Sequence, residues 1–171
     1  MSKLDPFLKR KTESLLARQA EWTVAPEKGV ILIRGSSHVA GITGARPTRM
    51  GDHAIVSDST PGLAGHALGP TAPEMLMGAI GSCLVHTYLI QAAILGIGLD
   101  DVQVEVTGTL DMRGVIGMEV EQPPRIENIT YTAHIESDAD DAAIVRLHEA
   151  VEKWCPVLLT LRAGTGVTRV S

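Results

Sequence analysis

Along the first twenty residues Leu4, Phe7, Leu8, Leu15 and Leu16 recur among Lys, Arg and Glu at helical spacing, which predicts an amphipathic helix over 4–21. This helix is expected to form an N-terminal arm, residues 1–22, ahead of one domain over 23–171. The run Val30-Ile31-Leu32-Ile33 is short and β-branched, as a buried strand requires, and a second extended region is expected from about Arg46 to Val56. From Asp58 to Pro70 the breakers Pro61-Gly62 and Gly69-Pro70 mark a loop.

The loop ends at Thr71-Ala72-Pro73-Glu74, where Thr with Glu three residues on is a capping box and Pro falls in the first turn. A helix is predicted from there to about Leu95, stopped by Gly96 and Gly98. Met75, Leu76, Met77, Ile80, Leu84, Val85, Leu89, Ile90 and Ile94 make it apolar on almost every side. Such a helix is expected at the centre of the fold, or of a dimer, while Glu74, His86 and Gln91 argue against a membrane span.

Next, Val102, Val104 and Val106 alternate with Gln103, Glu105 and Thr107, and 129–135 alternates in the same way, giving two half-buried strands around an ambiguous 114–124 segment. Ser137-Asp138 opens a second amphipathic helix, with Asp140 and Asp141 in its first turn and Ile144, Leu147, Val151 and Trp154 on one face. An apolar turn follows Cys155-Pro156, and residues 166–170 are expected to close the chain as a strand. Strands and helices in this order predict an α+β fold.

Charge and composition narrow the function. A formal net charge of -5 gives no electrostatic footprint for nucleic acid, and aromatics at 3% leave few bases-stacking platforms. The charged N-terminus lacks the apolar stretch of a signal peptide, so a cytoplasmic location is expected, with neither nucleic acid nor membrane as partner. The chain has two cysteines, Cys83 and Cys155. In a reducing compartment such a pair is catalytic, metal-bound or simply buried and inert.

Their contexts differ. Cys83 falls in the middle of the apolar helix, where burial raises a thiol pKa, so it needs a cation beside it to react. Arg46 and Arg49, just upstream of the loop that feeds this helix, are the candidate cations, against the plainer reading of a solvated strand edge. Cys155 precedes a proline suited to a first helical position, which makes it an N-cap with its sulfur toward free N–H groups. Cys83 and His86 share a helical face, but nothing else in the sequence completes four ligands, so neither metal nor cofactor is expected.

Gly69-Pro70-Thr71-Ala72-Pro73-Glu74-Met75-Leu76, Ala79-Ile80-Gly81-Ser82-Cys83, Gly96-Ile97 and Glu152-Lys153-Trp154-Cys155-Pro156-Val157 with Thr160-Leu161 carry a resemblance. The chain resembles the OsmC/Ohr family, the osmotically inducible protein C and organic hydroperoxide resistance proteins, over roughly 52–170, and is most similar to an OsmC-like third branch. The resemblance implies antiparallel sheets wrapped around long central helices in an intertwined homodimer. It also implies a thiol-dependent peroxidase: Cys83 reduces an organic hydroperoxide, Cys155 resolves the sulfenic acid, a dithiol reductant regenerates the pair, and an arginine with a glutamate activates Cys83. Family peroxidases place that glutamate one position further from the cysteine. Glu74 precedes Cys83 by nine residues, on the opposite helical face at about 100° per residue, so its capping role is the firmer assignment. The alternative is a non-enzymatic dimer that binds a small thiol or an apolar ligand.

Overall fold

The computed structural model describes residues 2–170. Its elements form two compact units, Ala20–Leu76 on one hand and the first nineteen residues with Met77 onward on the other.

In the larger unit the helix α1 (Asp5–Val24) begins beside the turn after the long helix α2 (Ala72–Leu95). The Leu4 N–H donates to the Leu99 carbonyl at 2.9 Å, the Lys3 N–H to the Asp100 carboxylate, and the Thr12 hydroxyl to the Ala93 carbonyl at 3.3 Å. Only Leu8 of α1 is buried. Strands β4 (Asp101–Leu110) and β5 (Ile126–Glu136) form an antiparallel ribbon from Asp101 opposite Glu136 to Leu110 opposite Ile126, with a bulge between Thr107 and Thr109. Both strands are longer than the alternation predicts, because pairing continues where the pattern fades. The 114–124 segment is an irregular connection between them.

Helix α3 (Asp141–Trp154) is capped by Asp140, whose carboxylate accepts the Ala143 N–H at 2.7 Å, so Asp140 sits at the N-cap rather than in the first turn. Helix α4 (Pro156–Ala163) follows at once, with Cys155 ending one helix and starting the other. Ile80, Leu84, Tyr88 and Ala92 repeat every four residues along α2, and Ala143, Leu147, Val151 and Cys155 along α3. These two stripes make the core of this unit.

Helix α2 is unbroken over 24 residues and, by length and composition alone, long and apolar enough to cross a membrane. The helix runs to Leu95 as the sequence predicts, and Glu74, His86 and Gln91 all lie within it. It serves as the core helix, yet within one chain it is buried along one side: Ile94 and Leu95 are exposed, contrary to the expectation of burial all round.

In the smaller unit β1 (Gly35–Ser37), β2 (Arg46–Met50) and β3 (His53–Ser57) form an antiparallel meander, with Gly35 opposite Met50 and Arg46 opposite Ser57. The extended region expected over 46–56 is thus a hairpin, turned at Gly51 with φ +59°. Val30–Ile33 is not a buried strand: these residues are outside any strand and 74–83% exposed. Residues 166–170 likewise form no strand, and Val167 is 99% exposed. An apolar run folds as a strand only when a neighbouring edge supplies hydrogen bonds, and among the described residues neither run is paired with a strand.

The loop from 58 to 70 is built around Asp58, a buried carboxylate that accepts N–H bonds from Ser59 (2.8 Å), His66 (2.9 Å) and Leu68 (3.3 Å). The His66 N–H, then that of Ser59, holds the carboxyl below its ordinary range. A Cβ on Gly69 would stand 1.9 Å from the Val56 carbonyl oxygen, and one on Gly65 equally close to the Ser59 oxygen. Gly69→Ala is therefore expected to destabilise the fold by about 1–3 kcal/mol, since backbone must move to admit the methyl group. Urea unfolding would check this, and an unchanged midpoint would contradict the close approach.

The capping box forms as the sequence predicts. The Thr71 N–H and hydroxyl both donate to the Glu74 carboxylate, at 2.7 and 2.8 Å, and the Glu74 N–H donates back to the Thr71 hydroxyl at 3.4 Å.

Candidate functional site: a dithiol at the start of a helix

The fold brings Cys83 of α2 and Cys155 of the α3–α4 corner together, with sulfurs 3.5 Å apart and both thiols free. A disulfide needs about 2.05 Å, so a modest approach of about 1.5 Å would join them. Cys155 is fully buried and Cys83 partly so. The reason is local: Cys155 continues the buried α3 stripe by four residues from Val151, while Pro156 forces a new helix to begin beside it.

The start of α4 serves Cys83 rather than Cys155. As N-cap, Cys155 makes no side-chain capping bond, contrary to the expected orientation of its sulfur. Its thiol donates to Cys83 instead. The Val157 N–H, one of the free donors of the first turn, acts on Cys83 by favouring its thiolate. Burial nevertheless pushes the Cys83 thiol up, the Val157 N–H draws it part of the way back, and the neighbouring Cys155 pushes it up again. The net direction is upward, and no positive charge is among these influences.

His86 turns to α1, with its Nε2 3.2 Å from Lys11 Nζ. Burial, then the lysine charge, keeps its imidazole below the ordinary range. Among the described residues no three His, Cys, Asp or Glu side chains gather in a metal-binding group.

The other candidate residues belong to the smaller unit. Glu74 is engaged by Thr71. Arg46 is in β2, its guanidinium donating to the Gly44 carbonyl at 3.0 Å, and Arg49 is in the same strand.

Beside the dithiol lie groups that sequence reading did not single out. Tyr131 of β5 donates to the Glu152 carboxylate at 2.9 Å, and Arg162 of α4 pairs with its other oxygen at 3.0 Å. The Tyr131 hydroxyl, then the Arg162 guanidinium, holds the Glu152 carboxyl below its usual range. Burial, then the bond to Glu152, pushes Tyr131 up to about 12, so it stays a donor at neutral pH. On the adjoining face buried Tyr88 meets His148, oxygen to Nδ1 at 2.6 Å, with the rings edge to face. The i, i+4 spacing of His148 and Glu152 was the available signal, though only the fold supplies their tyrosines.

Ile80, Ile129, Leu158 and Leu161, with Tyr131 and Arg162 at the polar end, line a cavity of about 450 Å³. Ile80 precedes Cys83 by three residues and Leu158 follows Cys155 by three, so the cavity is built on the same two helices as the dithiol. Chemically, two free thiols at this separation can pass between dithiol and disulfide.

Comparison with known proteins agrees with this architecture. No curated protein matches the chain in sequence. The structure is similar to an OsmC-like protein from Mycoplasma pneumoniae, with TM-score 0.66 and 17% identity over 77% of this chain and 88% of that one. It is similar too to an organic hydroperoxide resistance protein OsmC from Legionella pneumophila (TM-score 0.59, 16% identity, 78% and 90% covered). The organic hydroperoxide resistance protein OhrB of Bacillus subtilis gives TM-score 0.54 at 16% identity, with 77% and 91% covered. These likenesses establish an α+β fold with antiparallel sheets and a long central helix. The family model described as OsmC-like protein matches residues 65–169, which spans both cysteines and more than half of the sequence, and the chain therefore belongs to the OsmC-like protein family.

Proposed function

We propose that the protein is a thiol-dependent peroxidase acting on organic hydroperoxides. Family membership supports a peroxide-related redox role, and the observation that carries the finer reading is the 3.5 Å separation of the two free thiols. In the first step the Cys83 thiolate attacks the distal peroxide oxygen, the O–O bond breaks, and the alkoxide leaves as an alcohol after taking a proton. Cys83 is then a sulfenic acid. In the second step the Cys155 sulfur attacks the Cys83 sulfur, a disulfide forms and water leaves with the Cys155 proton. A dithiol reductant returns both thiols by exchange and becomes a disulfide itself.

The resemblance implies that an arginine activates Cys83, and Arg46 and Arg49 are the candidates for that charge, while Glu74 caps α2 through Thr71. Treating the reduced protein with one equivalent of cumene hydroperoxide tests the reading. Conversion to an intramolecular Cys83–Cys155 disulfide, seen by mass after thiol blocking, is expected; unaltered thiols would end it.

The raised Cys83 thiol favours a second reading, a binding protein that uses the apolar cavity without turnover. Under that reading a hydroperoxide or small thiol binds and leaves both cysteines reduced. In either case the working form is a homodimer. The exposed Val30–Ile33 run and the open flank of α2 with Ile94 and Leu95 are the apolar surfaces that a second copy would cover. Sedimentation at micromolar concentration should give twice the chain mass. A monomer would leave those surfaces without their occupant.

A further inference from the structure

The geometry points to Glu152, clasped by Tyr131 and Arg162, as the positioning residue that holds the α3–α4 corner so that Cys155 is presented to Cys83. This rests on the reading of the two cysteines as a redox pair.

Cys155 sits where one helix stops and the next starts. Its N–H donates to the Val151 carbonyl at 2.9 Å and its carbonyl accepts the Leu159 N–H at 3.0 Å, so its backbone belongs to both helices. The direction of its sulfur is therefore set by the angle between α3 and α4. Among the described residues one side-chain tie spans that corner: Glu152, in the last turn of α3, bonds Arg162, near the end of α4, at 3.0 Å. A second tie fixes the same carboxylate to the sheet through Tyr131 at 2.9 Å. Three elements thus meet on one carboxylate three residues from Cys155. Loosening either tie lets the corner open, moves the Cys155 sulfur off its 3.5 Å approach and lowers its effective concentration toward Cys83.

The test is a thiol–disulfide equilibrium, which needs no hydroperoxide. Wild type, Arg162→Met, Tyr131→Phe, the double variant and Arg162→Lys are equilibrated with mixtures of reduced and oxidised dithiothreitol. In each, two electrons pass from the Cys83 and Cys155 thiols to the oxidised reagent, which becomes its dithiol. The Cys83–Cys155 disulfide fraction is read by mass after thiol blocking. Arg162→Met is expected to lower the equilibrium constant for disulfide formation about fivefold, the scale of a half-exposed ion pair. Tyr131→Phe should lower it less. The double variant should match the larger single effect, because both ties act through Glu152, and Arg162→Lys should return to within about twofold of wild type.

Urea midpoints separate positioning from general weakening. Losses that track the midpoint, losses that add in the double variant, equilibrium constants within about twofold of wild type in both single variants, or no disulfide in any mixture would each overturn the assignment. A protein that fails to react with hydroperoxide but shows the predicted pattern keeps the clasp and loses the peroxidase. The opposite outcome keeps the peroxidase and loses the clasp.

Discussion

Replacing Cys83 by serine is expected to abolish hydroperoxide consumption, a fall on the order of a thousandfold or more, because the serine hydroxyl cannot supply the nucleophile or accept the peroxide oxygen. Cys155→Ser should behave differently. Cys83 would still react once, and its sulfenic acid, without a thiol 3.5 Å away, would persist and then pass to the irreversible sulfinic acid under excess hydroperoxide. Stopped-flow consumption of cumene hydroperoxide together with trapping of the sulfenic acid would distinguish the two variants. Consumption that survives Cys83→Ser would remove the nucleophile from the mechanism.

The pH dependence of the same reaction reports where the activating charge comes from. Burial pushes the Cys83 thiol up, so with the groups of its own unit alone the thiolate fraction keeps growing with pH, and the rate should rise through about 8.5, the ordinary cysteine range, without levelling. A plateau near about pH 6 would mean that a cation outside this set, Arg46 or Arg49, acts on the thiol.

The largest expected effect on stability is at Leu84. It has no exposed surface, lies in the buried α2 stripe between Ile80 and Tyr88, and faces a core in which few positions can collapse around a void. Leu84→Ala should cost about 2–5 kcal/mol, from lost transfer of the side chain plus the cavity left behind. Leu16, 60% exposed on α1, is the control, and its replacement by alanine should change stability by no more than about 0.5 kcal/mol. Urea unfolding at one fixed protein concentration measures both, since association would add to apparent stability. Equal effects at Leu84 and Leu16 would contradict the placement of the core.

What the sequence determined by itself is what short-range physics controls. The capping box at Thr71 and Glu74, the α2 and α3 helices, the alternating strands β4 and β5 and the helix start at Pro156 all depend on residues within a few positions of one another. Both cysteines were legible as candidates for the same reason, through their helical contexts and the motifs around them. Val30–Ile33 and residues 166–170 have the composition of strands and are not strands in the single chain, because a ladder needs a paired edge and local composition does not supply one.

Tertiary structure alone decided the rest. Cys83 and Cys155 are 72 residues apart, and no local pattern states that their sulfurs lie 3.5 Å from each other or that Cys155 makes no side-chain capping bond at the start of α4. The Glu152 clasp needs a tyrosine from β5 and an arginine from α4. Such constellations are products of packing, in which the direction of each side chain is fixed by neighbours remote in sequence.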